Sequence, residues 1–210
     1  MRHTIVSIAA ITLVIIAVIS GCKTVTDITN ALSSLNKMEF KLRNIENMRL
    51  AGVDVSKVSD PKRLSITDGI SLGKAFAEKR LPASFVLNVD ARNPNNGTSG
   101  ARSVPLTLNG FDWRLLIDDV RTIGGNIAEP IDIPGTTANT NIPLSVNLDM
   151  YQFFAEKGYD GIVNLALALG GANGSASRVK LDAQPSVGTP FGQMTYPGRL
   201  TIVDKEFRGS

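Results

Sequence analysis

Residues 142–150 read IPLSVNLDM, and every second residue of this stretch is apolar. The apolar positions are Ile142, Leu144, Val146, Leu148 and Met150, and they alternate with one proline and three polar residues. Successive side chains of a β-strand point to opposite faces of the sheet. The stretch therefore predicts a strand with one face in a hydrophobic core and the other face in water.

The same alternation occurs in two other long stretches of the chain. In residues 38–43 the apolar residues Met38, Phe40 and Leu42 alternate with charged residues, and residues 84–92 alternate except at Val86. Shorter runs of this kind occupy residues 104–108, 113–117, 127–133, 163–169, 179–183 and 200–203. Clusters of glycine, asparagine and proline, which are typical of turns, separate the runs at residues 95–97, 109–110, 124–126, 134–135 and 170–174.

Many short strands separated by turns are typical of antiparallel sheets, and long alternating runs argue against a parallel sheet. We therefore predict an all-β fold, an antiparallel immunoglobulin-like β-sandwich with one or two short helices. The expected helices are residues 68–79, with Ser65, Thr67 or Asp68 as the cap, and residues 151–157. The tetrapeptide FAEK ends both segments, which fits two short helices that close an end of the sandwich.

The first 21 residues have the three-part order of an export signal. Arg2 gives a short basic start, residues 5–19 contain no charge, and the small residues Ser20 and Gly21 precede Cys22. A membrane-spanning helix needs about 20 apolar residues, so the run is short for a permanent span. An uncleaved anchor is therefore the weaker interpretation, and we expect residues 1–21 to be a signal peptide.

The sequence Ile19-Ser20-Gly21-Cys22 resembles the lipobox of bacterial lipoproteins. The resemblance implies cleavage between Gly21 and Cys22, and lipidation of the Cys22 thiol with acyl chains such as palmitate. Two or more chains anchor a protein stably in a membrane. Lys23 stands where an aspartate retains some lipoproteins at the inner membrane of Gram-negative bacteria, so we expect a lipid anchor in the cell envelope, with the outer membrane favoured.

The composition excludes several classes of function for the mature chain. Lysine and arginine total 22 against 19 acidic residues, and the resulting net charge of +3 is too mild to indicate nucleic-acid binding. His3 is the only histidine and lies in the predicted signal, and Cys22 is the only cysteine. The mature chain therefore lacks the side chains for a Ser-His-Asp triad, a Cys-His dyad, a His- or Cys-based zinc site or an internal disulfide.

Residues 22–37 are predicted to be a lipidated tether. Val25, Ile28, Leu32 and Leu35 recur at spacings of three and four, a weak helical stripe among polar residues. A short helix in the tether accounts for this stripe, and a partner-binding helix is the alternative. The sandwich domain is expected to occupy residues 38–208.

Residues 85–95 read FVLNVDARNPN, an alternating strand that ends in Asn-Pro-Asn. This stretch resembles the start of the LEA type 2, or WHy (water stress and hypersensitive response), domain. The order of residues 106–108, 113–115, 131–135 and 142–149 agrees with that family, and the resemblance covers roughly residues 38–207 in a bacterial lipoprotein form. It implies a stress-protective or binding role at the cell envelope.

The motif Asn93-Pro94-Asn95 also has a physical interpretation of its own. Pro94 lacks an N–H group and restricts Asn93 to extended geometry, so a sheet ladder ends there. The short amides of Asn93 and Asn95 can bond nearby backbone. We therefore expect a structural role for these residues, and a ligand-binding role is the alternative.

Candidate chemical sites each have a structural alternative that is favoured. Asp118 and Asp119 have the side chains for a metal site, but no third acidic residue follows at a regular offset, so a hairpin turn is expected. Ser71 and Lys74 have the S-x-x-K spacing without its companion motifs. Residues 170–174 are glycine-rich without the lysine and threonine of a phosphate-binding loop. No metal or cofactor is therefore expected.

Six aromatic residues could line a groove for an apolar ligand, although core packing is the expected role for most of them. They are Phe111, Trp113, Tyr151, Phe153, Phe154 and Tyr159.

The first hypothesis for the function is a non-enzymatic, membrane-anchored protein with a stress-protective or binding role. The alternatives are a carrier of lipid or another apolar ligand, and an assembly subunit that pairs an exposed sheet edge with an envelope protein.

Overall fold

The computed structural model describes residues 33, 35–95, 97, 103, 105–136, 138–171, 178–189 and 192–204. The predicted signal, Cys22 and most of the predicted tether lie outside the described residues. The strands are β1 (Glu39–Leu50), β2 (Val53–Asp54), β3 (Pro82–Arg92), β4 (Leu106–Ile117), β5 (Val120–Gly125), β6 (Ile131–Ile133), β7 (Thr140–Asp149), β8 (Val179–Thr189), β9 (Gly192–Thr195) and β10 (Leu200–Ile202). The helices are α1 (Ile66–Ala77), α2 (Met150–Phe154) and α3 (Gly158–Gly170), with 3-10 turns at Pro61–Arg63 and Ala155–Lys157.

The strands form two antiparallel sheets, so the fold is mostly β as predicted. The four-stranded sheet has the order β2-β1-β3-β7. The six-stranded sheet has the order β10-β8-β4-β5, with β6 paired to β4 and β9 paired to β8. Every strand pairing described is antiparallel.

One hydrophobic cluster contains buried residues of both sheets and of the helices. Phe40 of β1 packs on Phe111 of β4, with ring centroids 5.4 Å apart. The backbone N–H of Leu42 donates to the carbonyl of Val203, which follows β10, at 3.0 Å. Leu35 is fully buried in the same cluster, so the core already begins before the predicted start of the domain at residue 38.

The strand predicted at residues 142–150 is confirmed. Ile142, Leu144, Val146 and Leu148 are buried, and the alternate residues of β7 face outward. The strand ends one residue earlier than expected because the Asp149 carboxylate accepts the N–H of Tyr151 at 3.0 Å and begins α2.

Strand β1 keeps one face in the core although its apolar residues stop alternating after Leu42. Its register against β3 shifts twice, between Leu42 and Asn44 and again between Glu46 and Arg49. At each shift β1 contains one extra residue, which is a β-bulge. The core-facing residues of β1 are therefore Phe40, Leu42, Ile45, Met48 and Leu50, at spacings of two and three.

The strand predicted at residues 163–169 is wrong, because this segment belongs to helix α3. The segment reads VNLALAL, and its alternating apolar residues satisfy a strand pattern equally well. Ile162, Ala166 and Leu169 are also buried, at the spacings of three and four that a helix requires. After Met38 the described residues thus contain three α-helices, where one or two were predicted, and Leu35 and Asn36 before β1 are also helical.

The turn predicted at residues 109–110 is also wrong, because β4 continues through it as a single strand. The register of β4 against β8 shifts between Leu108 and Gly110, so the pair marks a bulge. A Cβ at Gly110 would lie 2.6 Å from the Ser186 hydroxyl, so β8 approaches too closely for a side chain. The run predicted at residues 127–133 is a strand only at Ile131–Ile133.

The helix predicted at residues 68–79 is confirmed as α1, which starts and ends two residues earlier. Its N-terminus has a capping box, in which Ser65 accepts the N–H of Asp68 at 3.0 Å and Asp68 accepts the N–H of Ser65. Lys79 follows the helix with φ 57°, and the N–H of Arg80 donates to Ala75 at 3.1 Å. This is a Schellman motif with lysine at the position that usually holds glycine.

Helices α1, α2 and α3 lie at one end of the sheets, which we call the helical end. Phe76 of α1 packs edge-on against Tyr151 and Tyr159, with ring centroids at 5.3 and 5.7 Å. Strands β1, β3 and β7 bring Leu50, Ala83 and Leu148 into register at this end.

Two glycines in helices have opposite surroundings, and they predict opposite effects of alanine on stability. A Cβ at Gly170 of α3 would lie 2.0 Å from the Met48 Cβ, whereas nothing lies within 4 Å of one at Gly73 of α1. Gly170→Ala is expected to lower the free energy of unfolding by about 2 kcal/mol through overpacking. Gly73→Ala is expected to raise it by up to about 1 kcal/mol. Urea denaturation measures both, and equal effects would contradict the described packing of α3 on β1.

Candidate functional site

An open groove lies on the outer face of the four-stranded sheet. Its volume is about 540 Å³. A second cavity of about 290 Å³ shares Arg49, Ser84 and Asn147 with the first, so the two form one continuous groove. Arg49, Ser84 and Asn147 are direct neighbours across β1, β3 and β7, so the groove crosses three strands.

Two exposed arginines lie along this groove. The bulge between Glu46 and Arg49 resets the alternation of β1, so Arg49 points outward between the buried Met48 and Leu50. Arg80 lies between α1 and β3, where its backbone N–H is bonded to Ala75 in the Schellman motif. Guanidinium groups present several donors in a fixed fork, which suits carboxylate and phosphate groups.

Two carboxylates also lie near the groove, and both are bonded to backbone N–H groups. Asp149 accepts the N–H of Leu81 at 2.8 Å and that of Tyr151. Asp54 of β2 lies opposite Arg49 of β1 in the strand register. The pKa of Asp54 is lowered mainly by the N–H of Ser56, which donates to its carboxylate at 2.9 Å. The acidic groups thus hold the backbone, while the two arginines present donors to the groove.

A row of amides continues the polar surface away from the helical end. Asn88 donates to the Asn44 side chain at 3.0 Å and accepts from Asn141 at 3.0 Å, so three strands are linked on their outer face. Further along, the Asp90 carboxylate pairs with Arg43 at 2.5 Å and accepts from Asn139 at 3.3 Å. Asn88 and Asp90 are themselves buried, so these bonds link the three strands along the length of the sheet.

No motif in the sequence marks Arg49, Arg80, Ser84 or Asn147 as site residues. The outward position of Asn147 follows from the alternation of β7. Arg49 follows two bulges that no local pattern indicates, and Arg80 lies outside the strands. The alignment of the groove residues depends on strand register, which one sequence does not contain.

Asn93, Pro94 and Asn95 lie at the opposite end of β3 from the helices. Asn93 is fully buried, and its amide donates to the Ile133 carbonyl at 3.2 Å. Its side-chain oxygen accepts from the Asn95 backbone N–H at 3.1 Å and from the Asn95 amide at 2.8 Å. These bonds join the end of β3 to β6 of the other sheet. The other predicted site residues, Gly21 and Cys22, lie outside the described residues.

Asp118 and Asp119 form the turn of the β4–β5 hairpin. Their φ angles of 49° and 64° are both left-handed, and Ile117 pairs with Val120 across the turn. Their carboxylates pair with cations: Asp118 binds Arg178 through two hydrogen bonds of 2.6 and 2.5 Å, and Asp119 lies 2.5 Å from Lys180.

Asp118 also joins the hairpin to the helical end, because the Lys157 ammonium lies 3.5 Å from it. Hydrogen bonding from Arg178 holds the pKa of Asp118 below its ordinary value, and the charges of Arg178 and Lys157 act in the same direction. Within the described part of the chain, no group of three or more acidic, histidine or cysteine side chains has the arrangement to hold a metal ion.

Ser71 and Lys74 are both exposed on α1, and each has another partner. The Ser71 hydroxyl donates to the Thr67 carbonyl at 3.0 Å, and the Lys74 ammonium lies 3.9 Å from Glu78. The aromatic residues considered for an apolar groove lie elsewhere. Phe111, Trp113 and Phe154 are buried in the core, and Tyr151, Phe153 and Tyr159 pack against it.

The outer edge of β7 is open, since no other described strand pairs with it. The N–H of Met150 donates to the Leu81 carbonyl at 2.9 Å. Every second residue before Met150, from Leu148 to Ile142, therefore directs its backbone N–H and C=O groups toward β3. The remaining residues, Asn141, Pro143, Ser145 and Asn147, therefore direct theirs toward the open edge. Pro143 lacks an N–H there, which interrupts pairing with a further strand.

No helix among the described residues combines the length and apolar character needed to cross a membrane. The predicted signal segment lies outside the part of the chain to which this applies.

The Asp118 ion pair predicts a pH-dependent contribution to stability. Because the folded pKa of Asp118 is lowered, the stabilisation is fully present above the unfolded value of about 3.9 and is lost as the pH falls through the folded value. Asp118→Asn, which keeps the left-handed turn, is expected to lower the free energy of unfolding at pH 7 by about 1 kcal/mol and to have no effect in strong acid.

Urea denaturation at neutral and acid pH measures this difference. Asp119→Asn is the matched control, because Asp119 is also left-handed but its side chain is 73% exposed, and a smaller effect is expected. An effect of Asp118→Asn that stays constant with pH would show that the ion pair does not stabilise the fold.

No family model matches the chain, and no curated protein matches it. Among solved structures, the chain is similar to a protein from Archaeoglobus fulgidus, with 14% sequence identity and a TM-score of 0.33. The similarity covers 61% of this chain and 82% of that chain.

Proposed function

We propose that this chain is a lipid-anchored protein of the cell envelope whose groove binds an anionic, hydroxyl-bearing ligand without catalysing a reaction. The observation that carries the proposal is the open groove of about 540 Å³ with the exposed Arg49 and Arg80 beside it. The arginines supply charged donors, and Ser84 and Asn147 supply a hydroxyl and an amide for neutral groups.

We propose that the two sheets form a β-sandwich. The Phe40–Phe111 contact, the mixed core cluster and the bond from Leu42 to Val203 support this architecture. Membership of the LEA type 2 family remains part of the proposal. Its support is the alternating β3 and the hydrogen-bonded Asn93 and Asn95 that follow it.

The lipid anchor is proposed from the sequence alone. Ile19-Ser20-Gly21-Cys22 supplies the cleavage and lipidation site, and Lys23 favours the outer membrane in a Gram-negative cell. A stress-protective role would follow from ligand binding at the envelope and rests on the family resemblance.

The two alternative functions have weaker support. A carrier needs space for an apolar ligand between the sheets, and Phe40 and Phe111 fill part of that space. An assembly subunit needs a continuous free edge, and Pro143 interrupts the open edge of β7.

The groove is tested by titrating the purified protein with glucuronate, which carries a carboxylate and hydroxyl groups, and with glucose as the uncharged comparison. We expect saturable NMR shifts at Ser84 and Asn147 with glucuronate only. Arg49→Gln and Arg80→Gln should each weaken binding about tenfold, because a charge-assisted hydrogen bond contributes about 1.5 kcal/mol.

Arg121→Gln is the matched control, because Arg121 is an exposed arginine on β5 of the other sheet. It should leave glucuronate binding unchanged. Equal weakening by all three substitutions, or no saturable shift with glucuronate, would refute the groove as the binding site.

The anchor is tested by the intact mass and phase partitioning of the protein made in a bacterial host. We expect the wild-type chain to lack residues 1–21, to carry acyl chains and to enter the detergent phase. Cys22→Ser should lose the acyl mass, since the thiol is the attachment point. An unmodified wild-type chain would overturn the anchor and leave the groove proposal intact.

A further inference from the structure

Helix α1 exposes two large apolar side chains on one face. Ile66 is 85% exposed and Ile70 is 67% exposed, and residues four apart lie on the same side of a helix. Leu72, which is fully buried, and Phe76 hold the other side of α1 on the domain. The exposed isoleucines therefore point away from the core.

Few side chains surround these isoleucines. Gly69 and Gly73 lie on α1 beside them, and nothing lies within 4 Å of a Cβ built at either glycine. The helix has 12 residues and is thus about 18 Å long. Two isoleucines on so short a helix form a much smaller patch than the roughly 800 Å² per partner of a stable protein interface.

The segment around α1 is rich in basic residues. The exposed cations before, within and after the helix are Lys57, Lys62, Arg63, Lys74, Lys79 and Arg80. The acidic residues of this segment have local partners: Asp60 accepts the N–H of Lys62, Asp68 forms the capping box, and Glu78 lies near Lys74. The segment from residue 57 to 80 has six cations and three anions, so a positive charge surrounds the isoleucines.

We propose that α1 is a membrane-contact helix that inserts Ile66 and Ile70 into the interface of an anionic lipid bilayer. A short helix with apolar residues on its free face and cations around it has the chemistry of interfacial helices, which bind through apolar burial and attraction to anionic lipids. Lys62, Arg63 and Lys74 would contact the headgroups. This inference does not depend on the ligand proposed for the groove.

The position of α1 is compatible with an anchor at Cys22. Strand β1 has 12 residues and separates the helical end from the start of the domain by about 40 Å. Residues 22–32, which precede the first described helical residue, span up to about 40 Å when fully extended. A domain tethered through them can therefore lie along the membrane with α1 in contact.

The test uses tryptophan emission and vesicles that contain brominated lipids, which quench tryptophan at short range. Trp113 is the only tryptophan and is 4% exposed, so the wild-type chain provides the unquenched baseline. For Ile70→Trp we expect additional emission that shifts to the blue when vesicles containing phosphatidylglycerol are added. Brominated lipids in these vesicles should quench this emission, whereas brominated phosphatidylcholine vesicles should quench it much less. Thr195→Trp, on the exposed strand β9, should remain unquenched on both.

Charge substitutions in the Ile70→Trp background test the role of the cations. Lys62→Gln and Lys74→Gln should each weaken vesicle binding about fivefold, since each basic residue near an anionic surface contributes a factor of about this size to the affinity. Lys37→Gln, an exposed lysine at the other end of β1, is the matched control and should have no effect.

Quenching of Ile70→Trp that equals that of Thr195→Trp would overturn the proposal, because the membrane would then contact the domain without preference for α1. Blue-shifted emission that depends on protein concentration and is insensitive to brominated lipids would assign the isoleucines to contact between copies of the chain, and would also overturn it.

Discussion

The helical end of the molecule is held in place by the carboxylate of Asp149. One side-chain oxygen accepts the N–H of Leu81 at 2.8 Å and that of Tyr151 at 3.0 Å. The first bond fixes the chain where it leaves α1 and enters β3, and the second ends β7 and begins α2. Because Arg80 precedes Leu81, the same carboxylate determines where one of the two arginines meets the groove. Buried or partly buried charge-assisted bonds of this kind are among the stronger polar contacts in proteins.

The alternation of apolar residues predicted the strands that lack bulges. Strand β7 keeps a period of two over its whole length, and its burial follows the sequence pattern from Ile142 to Leu148. Strand β1 is two residues longer and also buries one face, but two bulges change its spacing to three at Ile45 and Met48. A bulge depends on the partner strand and therefore has no local signature in one sequence. For this reason the alternation did not predict the part of β1 after Leu42, and it did not predict the outward position of Arg49.

Segments that are buried on several sides were the other source of error. The alternating leucines and alanines of residues 163–169 satisfy both strand and helix periods, and only Ile162 and the burial of Ala166 distinguish them. At Asn109 and Gly110 the turn-forming composition had a different cause, since the glycine admits Ser186 of the neighbouring strand. Glycine marks a close backbone approach as readily as a turn, and the two are separated only by the tertiary structure.

The two ends of the sheets have different physical characters. At the end marked by Asn93, short amides turn inward and bond to Ile133 and to each other, so their polar groups stabilise the junction of the sheets. At the helical end the apolar residues Ile66 and Ile70 turn outward, and the neighbouring cations are exposed. Exposed isoleucines lose the free energy that burial would provide, about 25 cal/mol for each Å² of apolar surface. A partner that covers them recovers it, and the surrounding positive charge favours an anionic surface as that partner.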